Sequence, residues 1–256
     1  SSVSPEEIAK FSRLSSEWWA PEGHFQMLHQ MNSARVDYIR HSSPQRATFS
    51  PHPESLVRPF RGLHMLDVGC GGGLLCEALA RLGGQVTGID ATYDNIQIAR
   101  VHAQKDPQLA NSEASLDYFH TTAEDIQQTG QQFDVVTSME VIEHVMHPDQ
   151  FVTNLFSLTK PGGLVFMSTI SRTPLAYALT ILGAERLLGL VPSGTHDYQK
   201  YIRPDELRAM VEPSGRVVDL RGIWYHPTAA RWQVMDPTLL GRLGTQVNYI
   251  MVAQKP

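Results

Sequence analysis

Apolar positions along this chain recur with two different periods, and the change between them divides it. Ser4-Pro5-Glu6-Glu7 opens a helix, with a cap residue, proline at the first helical position and a carboxylate three after the cap. Ile8, Phe11 and Leu14 follow at helical spacing, then Trp18 and Trp19, and a second helical stretch runs from about Phe25 to Ile39. His41 to Pro59 holds four prolines and reads as a loop. From residue 60 onward, short apolar runs alternate with amphipathic ones. Strands are predicted at 64–68, 85–90, 116–120, 133–138 and 164–169, and helices at 74–82, 93–104 and near 151–158. Lys160-Pro161-Gly162-Gly163 reads as a turn, and residues 217–224 and 247–252 as closing antiparallel strands. Strands alternating with helices require crossover connections. The expected fold is therefore α/β, a mostly parallel seven-stranded sheet with helices on both faces and an N-terminal helical preface.

Composition narrows this picture only a little. The 256 residues are 42% hydrophobic and 18% charged, a globular balance large enough to fold without a disulfide or metal staple. A formal charge of −5 argues against general nucleic-acid binding, which needs a positive field. Two cysteines, Cys70 and Cys76, make neither a disulfide framework nor a four-ligand zinc site, so a reducing compartment is expected. Ser1-Ser2 in place of Met suggests a processed or trimmed start.

Chemistry begins at Leu66-Asp67-Val68-Gly69-Cys70-Gly71-Gly72-Gly73, between the first strand and its helix. Glycine there lets backbone approach a ligand closely and presents helix N–H groups to it. A dinucleotide fingerprint needs glycine at relative positions 1, 3 and 6. Counting from Gly69, position 3 is Gly71 but position 6 is Leu74, which disfavours an NAD-dependent oxidoreductase. Asp67 precedes the loop, where a carboxylate repels pyrophosphate but can hold an ammonium group. Asp90 ends the second strand, 21 residues after Gly69, where it can accept both hydroxyls of a ribose.

The Asp-x-Gly-x-Gly-x-Gly pattern with Asp90 resembles the class I S-adenosylmethionine (SAM) methyltransferases, which have a Rossmann-like fold. The resemblance implies that Asp67, Gly69, Gly71 and Gly73 face the methionine part of SAM and that Glu124 and Asp125, after the third strand, contact adenine. Three further stretches narrow it: Trp18-Trp19 with Gly23, His29, Met31-Asn32 and Arg35; Met139 to Val145; and Val191 to Asp197 followed by Lys200 to Pro204. In order and spacing these are similar to the ubiquinone-biosynthesis O-methyltransferases, over nearly the whole chain. The stretch 106–114 and the proline-rich loop resemble the mitochondrial branch more than the bacterial one.

That resemblance implies methyl transfer from SAM to catechol-type hydroxyls on polyprenylated rings, a 3,4-dihydroxy-5-polyprenylbenzoate and a demethylubiquinol. It implies SAM contacts by Arg35 and Met139, a Mg²⁺ requirement, a place among other ubiquinone-biosynthesis proteins, and a peripheral position on the matrix side of the mitochondrial inner membrane or in the bacterial cytoplasm. On one helical turn, Glu140, Glu143 and His144 would share a face at i, i+3 and i+4. They are the candidate metal ligands, and His144 is the candidate base. The oxygens suit Mg²⁺; the imidazole suits transition metals better.

Residues 174–192 are strongly apolar, with Glu185 and Arg186 their only charges, yet too short and interrupted to span a bilayer. A core helix is one reading, and an interfacial helix on anionic lipid that guides a lipid-tailed acceptor is the other. The expected organisation is one domain: cap 1–59, SAM-binding core 60–170, apolar insertion 171–205 and closing strands 206–256. A methyltransferase for another phenolic or lipid acceptor, and a SAM-binding scaffold of a biosynthetic complex, are the competing functions.

Overall fold

In a computed structural model, residues 2–20, 22–42, 57–110, 115–187, 197–226, 231–235 and 244–256 are described. Of the expected features, most of the proline-rich loop, residues 188–192 of the apolar segment, and Gly194, Thr195 and His196 lie outside them.

Each short apolar run of the middle region is a strand: β1 His64–Val68, β2 Gln85–Asp90, β3 Leu116–His120, β4 Phe133–Met139 and β5 Thr159–Ile170. They are parallel and joined by helical crossovers, and β6 Arg216–His226, β7 Arg231–Val234 and β8 Asn248–Gln254 close the sheet antiparallel. The order is β3-β2-β1-β4-β5-β8-β6-β7. Eight strands are present where seven were expected. The additional one, β7, is a four-residue edge strand whose residues alternate exposed and half-buried, too short for a periodic signal. Apolar residues fill both faces, with Met65, Val135, Phe166 and Val252 on one side and Leu66, Val136, Val165 and Met251 on the other. That two-sided burial is why these strands read as continuous apolar runs.

The turn expected at Lys160–Gly163 lies inside β5. Pairing with β4 jumps there from Phe133↔Thr159 to Val135↔Leu164, and Gly162 takes a left-handed φ of 77°. The helices include α1 Pro5–Leu14, α2 Gln26–Ser42, α3 Leu74–Arg81, α4 Tyr93–Ala103, α5 Ala123–Gln128, α6 Pro148–Ser157 and, after β5, Pro174–Ala176 continuing as a wider π-type helix Tyr177–Leu187, with Pro204–Val211 before β6. β1 has β2 on one side and β4 on the other, so the chain direction of travel reverses between β1 and β4. Open parallel sheets bind ligands at the carboxyl ends of the strands flanking such a point. The segment from α1 to α2 crosses this end of the sheet.

Candidate active site

The loop after β1 is built from glycines that nothing else could replace. Gly69, Gly71 and Gly73 have φ of 76°, 53° and 86°, in the region where a side chain is strained. At Gly71 the neighbour also forbids one: a Cβ would sit 2.2 Å from the Trp18 ring. Trp18 is held over the loop by its indole N–H, which donates to Asn95 at 2.9 Å, and by a stack on Phe25. Trp19 donates to the Gly72 carbonyl at 2.9 Å, and Asn32 to that of Leu74 at 2.9 Å. The N-terminal segment is thus fastened directly onto the glycine loop.

Asp90 braces the same loop. One carboxylate oxygen accepts from the Gly71 N–H at 2.9 Å, the other from the Thr92 N–H at 2.7 Å and the Asn95 amide at 3.3 Å. Burial nonetheless holds its pKa above the ordinary carboxylate value. Asp67 lies beneath the loop, 3% exposed, accepting from the Thr137 hydroxyl at 2.7 Å and the Cys76 thiol at 3.3 Å. Burial pushes its pKa up to about 6, against the pull of those hydrogen bonds and of the Arg35 charge.

These elements enclose a cavity of about 690 Å³. Its wall carries Gly69, Gly71, Asp90, Glu124 and Met139, and also Glu7, Glu140, Glu143 and His144. Trp18, Phe25, Trp224 and Trp232 supply apolar surface to the same wall. Asp67, Gly73, Arg35 and Asp125 stand outside the wall. Asp125 is exposed and accepts from the Thr122 hydroxyl at the start of α5, a capping role. Glu124 accepts from the Ser2 N–H at 2.7 Å, and its second oxygen is buried without a partner.

The exit of β4 differs from the helical turn expected there. Glu140 has a left-handed φ of 56°, the lone positive value of a non-glycine residue among the described residues, and a 3₁₀ turn begins only at Ile142. Backbone in that state at a cavity wall marks a site held in place by its surroundings. The three candidate ligands consequently share no partner. Glu140 accepts from Arg35 at 3.1 Å and Ser168 at 2.7 Å; Glu143 accepts from Thr169 at 2.8 Å; His144 meets Glu7 at 3.0 Å. No cluster of three or more acidic, histidine or cysteine side chains suited to a metal occurs among the described residues. As arranged, the trio does not fit a Mg²⁺ site. Burial and the Glu140 charge push the Glu143 carboxyl upward.

Glu7 is absent from the sequence-derived site. Its pattern reads as a capping box, yet its carboxylate turns from the helix start toward His144 and, at 2.9 Å, Lys200. Those contacts, His144 first, hold its pKa down at about 2. Trp18 belongs to the resemblance through its spacing, but its position over Gly71 has no local sequence signal.

Comparison with known proteins decides the family. A methyltransferase domain family matches residues 66–167. The ubiquinone biosynthesis O-methyltransferase of Brucella anthropi is 44% identical over 255 residues, 99% of this chain and 96% of its own. The Ruegeria pomeroyi protein of that name is 44% identical over 99% of this chain and 97% of its own. The chain belongs to the ubiquinone biosynthesis O-methyltransferases. It is a SAM-dependent O-methyltransferase of the class I fold. A magnesium protoporphyrin IX methyltransferase from Synechocystis with bound SAH has the same fold, with a TM-score of 0.60 and 17% identity over 97% of this chain and 94% of its own. A possible histamine N-methyltransferase from Thermotoga maritima reaches 0.61 at 14% identity, over 98% and 99%.

The residues of the O-methyltransferase suit SAM. Arg35 is 5% exposed and its Nε has no partner, an orphaned donor of the kind a carboxylate would satisfy. The unpartnered Glu124 oxygen belongs to a residue that lines the cavity together with Asp90.

Proposed function

We propose that this O-methyltransferase methylates catechol-type hydroxyls on polyprenylated rings in ubiquinone biosynthesis, a 3,4-dihydroxy-5-polyprenylbenzoate and a demethylubiquinol among them. The observation that carries this reading is one cavity lined by Asp90 and the glycine loop and also by His144, which we read as its cofactor end and its acceptor end. SAM supplies an electrophilic methyl on sulfonium sulfur. The chain must align oxygen, methyl carbon and sulfur, and remove a phenolic proton. A phenol with a pKa near 10 is mostly protonated at neutral pH.

In this reading Asp90 accepts the ribose hydroxyls, Glu124 takes the adenine amino group, and Gly69 and Gly71 let the cofactor approach backbone. Arg35 pairs with the carboxylate, and Asp67, through the loop, favours the ammonium. Met139 packs beside the reacting centre. His144 takes the proton from the acceptor hydroxyl. The oxygen then forms its bond to the methyl carbon as the carbon–sulfur bond breaks, leaving S-adenosylhomocysteine, a methyl ether and an imidazolium. No step runs through Mg²⁺: the Glu140, Glu143 and His144 side chains would first have to leave their present partners.

Membrane engagement extends the proposal. No helix is long and apolar enough to cross a membrane among the described residues. Leu175, Leu179 and Leu182, spaced at i, i+4 and i+7, are 42%, 47% and 37% exposed, and Leu179 also lines the cavity. Exposed leucines of this kind can rest in an anionic lipid interface and pass a prenylated ring inward. The bacterial relatives favour the cytoplasmic face of a bacterial membrane, and the matrix face of the mitochondrial inner membrane rests on the sequence resemblance alone. Association with other ubiquinone-biosynthesis proteins is read by co-purification from a native membrane extract.

Methyl transfer from labelled SAM to a short-prenyl dihydroxybenzoate, with Mg²⁺ and then with EDTA, tests the function. Product in both conditions supports His144 as base. Product lost with EDTA returns the step to a metal, and SAM binding with no product under either condition rejects the acceptor class.

A further inference from the structure

The helix-start pattern at Ser4–Glu7 ordinarily sends the glutamate side chain back to the cap residue. Here the Glu7 N–H reaches Ser4 Oγ only at 3.5 Å, and the carboxylate is used elsewhere. Its Oε2 lies 3.0 Å from His144 Nδ1 and its Oε1 2.9 Å from Lys200 Nζ. Both Glu7 and His144 line the cavity, and the Phe11 ring stands edge-on to the imidazole, centroids 5.2 Å apart. The imidazole is therefore held at one nitrogen and packed by an aromatic ring, both from α1.

The protonation pattern follows from the partners. A carboxylate that accepts from an ammonium group is ionised and can only accept. His144 must then carry its proton on Nδ1, which leaves the lone pair of the neutral ring on Nε2. We propose that Glu7 is the positioning residue of the methyl transfer, fixing His144 as the Nδ1–H tautomer with Nε2 free to take the acceptor proton. This rests on His144 acting as the base. Because Glu7 rides on the N-terminal cap, the base is correctly set only when α1 is docked across the cavity. Lys200 completes the arrangement from the chain segment that returns after the apolar helix.

The test compares Glu7→Ala, Glu7→Asp and His144→Ala, and places Glu7→Ala in the His144→Ala background. Loss of an orienting carboxylate should lower kcat about 10- to 100-fold. SAM affinity should stay within about twofold in the same variant, since Glu7 lies at the acceptor end. Glu7→Asp should recover part of the loss. In the His144→Ala background, removing Glu7 should cost nothing further. A readout independent of turnover is the ¹⁵N spectrum of His144, which should report Nδ1–H in the wild type and shift toward the Nε2–H form in Glu7→Ala.

Wild-type kcat or an unchanged tautomer in folded Glu7→Ala overturns the proposal. So does an equal loss in the His144→Ala background, which would make Glu7 a structural clasp. His144→Ala with full activity instead removes the base reading beneath it. Should Glu7→Ala fail to bind SAM, Glu7→Gln, which keeps the packing, carries the same measurements.

Discussion

The proposed cofactor and acceptor ends of the site are built on different plans. The centre of the cofactor end is made locally, from glycine backbone and acids near it in sequence: Gly71 and Asp90 are 19 residues apart and Cys76 and Asp67 only nine, with Trp18 and Trp19 laid over the loop from the N-terminal segment. The acceptor end is gathered from afar. Glu7 reaches His144 across 137 residues and Lys200 across 193. A local site is fixed by one β-α-β unit, whereas a dispersed one exists only once the cap, sheet and insertion have all docked. The first plan suits a ligand shared by every methyltransferase of the fold; the second lets the acceptor change while the cofactor stays.

Separating these ends by mutation should give the largest effect at the base. His144→Ala is expected to lower kcat by about 10²–10⁴-fold, the range for loss of a general base, with SAM affinity retained by isothermal titration. A parallel fall in SAM affinity would merge the two ends into one unit and break the comparison.

Next in size is Gly71→Ala. The new methyl would meet the Trp18 ring at 2.2 Å while the backbone stays at a φ of 53°. Strain of about 1–3 kcal/mol is expected, read as a lowered Tm, weakened SAM binding and altered tryptophan fluorescence. Adding Trp18→Ala should restore part of the stability by making room, leaving the backbone penalty. No restoration would show that the cap does not bear on the loop.

Asp67 tests the cofactor end by pH. Its folded pKa of about 6 lies above the ordinary 3.8, so the folded state binds the proton more tightly than the unfolded. Without SAM, the contribution of Asp67 therefore favours folding as pH falls from 6 toward 4 and is lost as pH rises through 6. Asp67→Asn should consequently be more stable than wild type above pH 6, on the order of 1–3 kcal/mol, and lose that advantage near pH 4. SAM affinity should run the other way, since an ammonium group prefers the ionised acid, and should weaken below pH 6 in the wild type. A denaturation series and a binding series across that range check both signs.

How much of this was legible follows from the same contrast. The alternation of strands and helices, Gly69 to Gly73 and Asp90 could be read because their geometry is set by neighbours in the chain. The strand-four exit could not. The spacing of Glu140, Glu143 and His144 promised one helical face, but the left-handed Glu140 and the 3₁₀ turn at Ile142 gave each residue its own partner. Glu7 looked like a helix-cap residue because its true partner is 137 positions away. β7 escaped because a four-residue edge strand carries little period.

The smallest expected effect concerns how the acceptor arrives. Leu175 and Leu182 lie seven residues apart in the apolar helix and are both exposed. Full burial of a leucine side chain stabilises by about 1.5–3 kcal/mol, and these two are partly covered already, so each contributes less. Leu175→Lys with Leu182→Lys is expected to weaken co-sedimentation with vesicles of mixed neutral and anionic lipid several-fold. Two added positive charges would strengthen binding were it electrostatic alone, so a weakening identifies the exposed leucines as the contact. Turnover of a soluble short-prenyl acceptor should stay as it was, while turnover of a long-prenyl acceptor presented in vesicles should fall. Equal losses on both acceptors would mean that the helix shapes the acceptor end itself, and the division between delivery and chemistry would have to be redrawn.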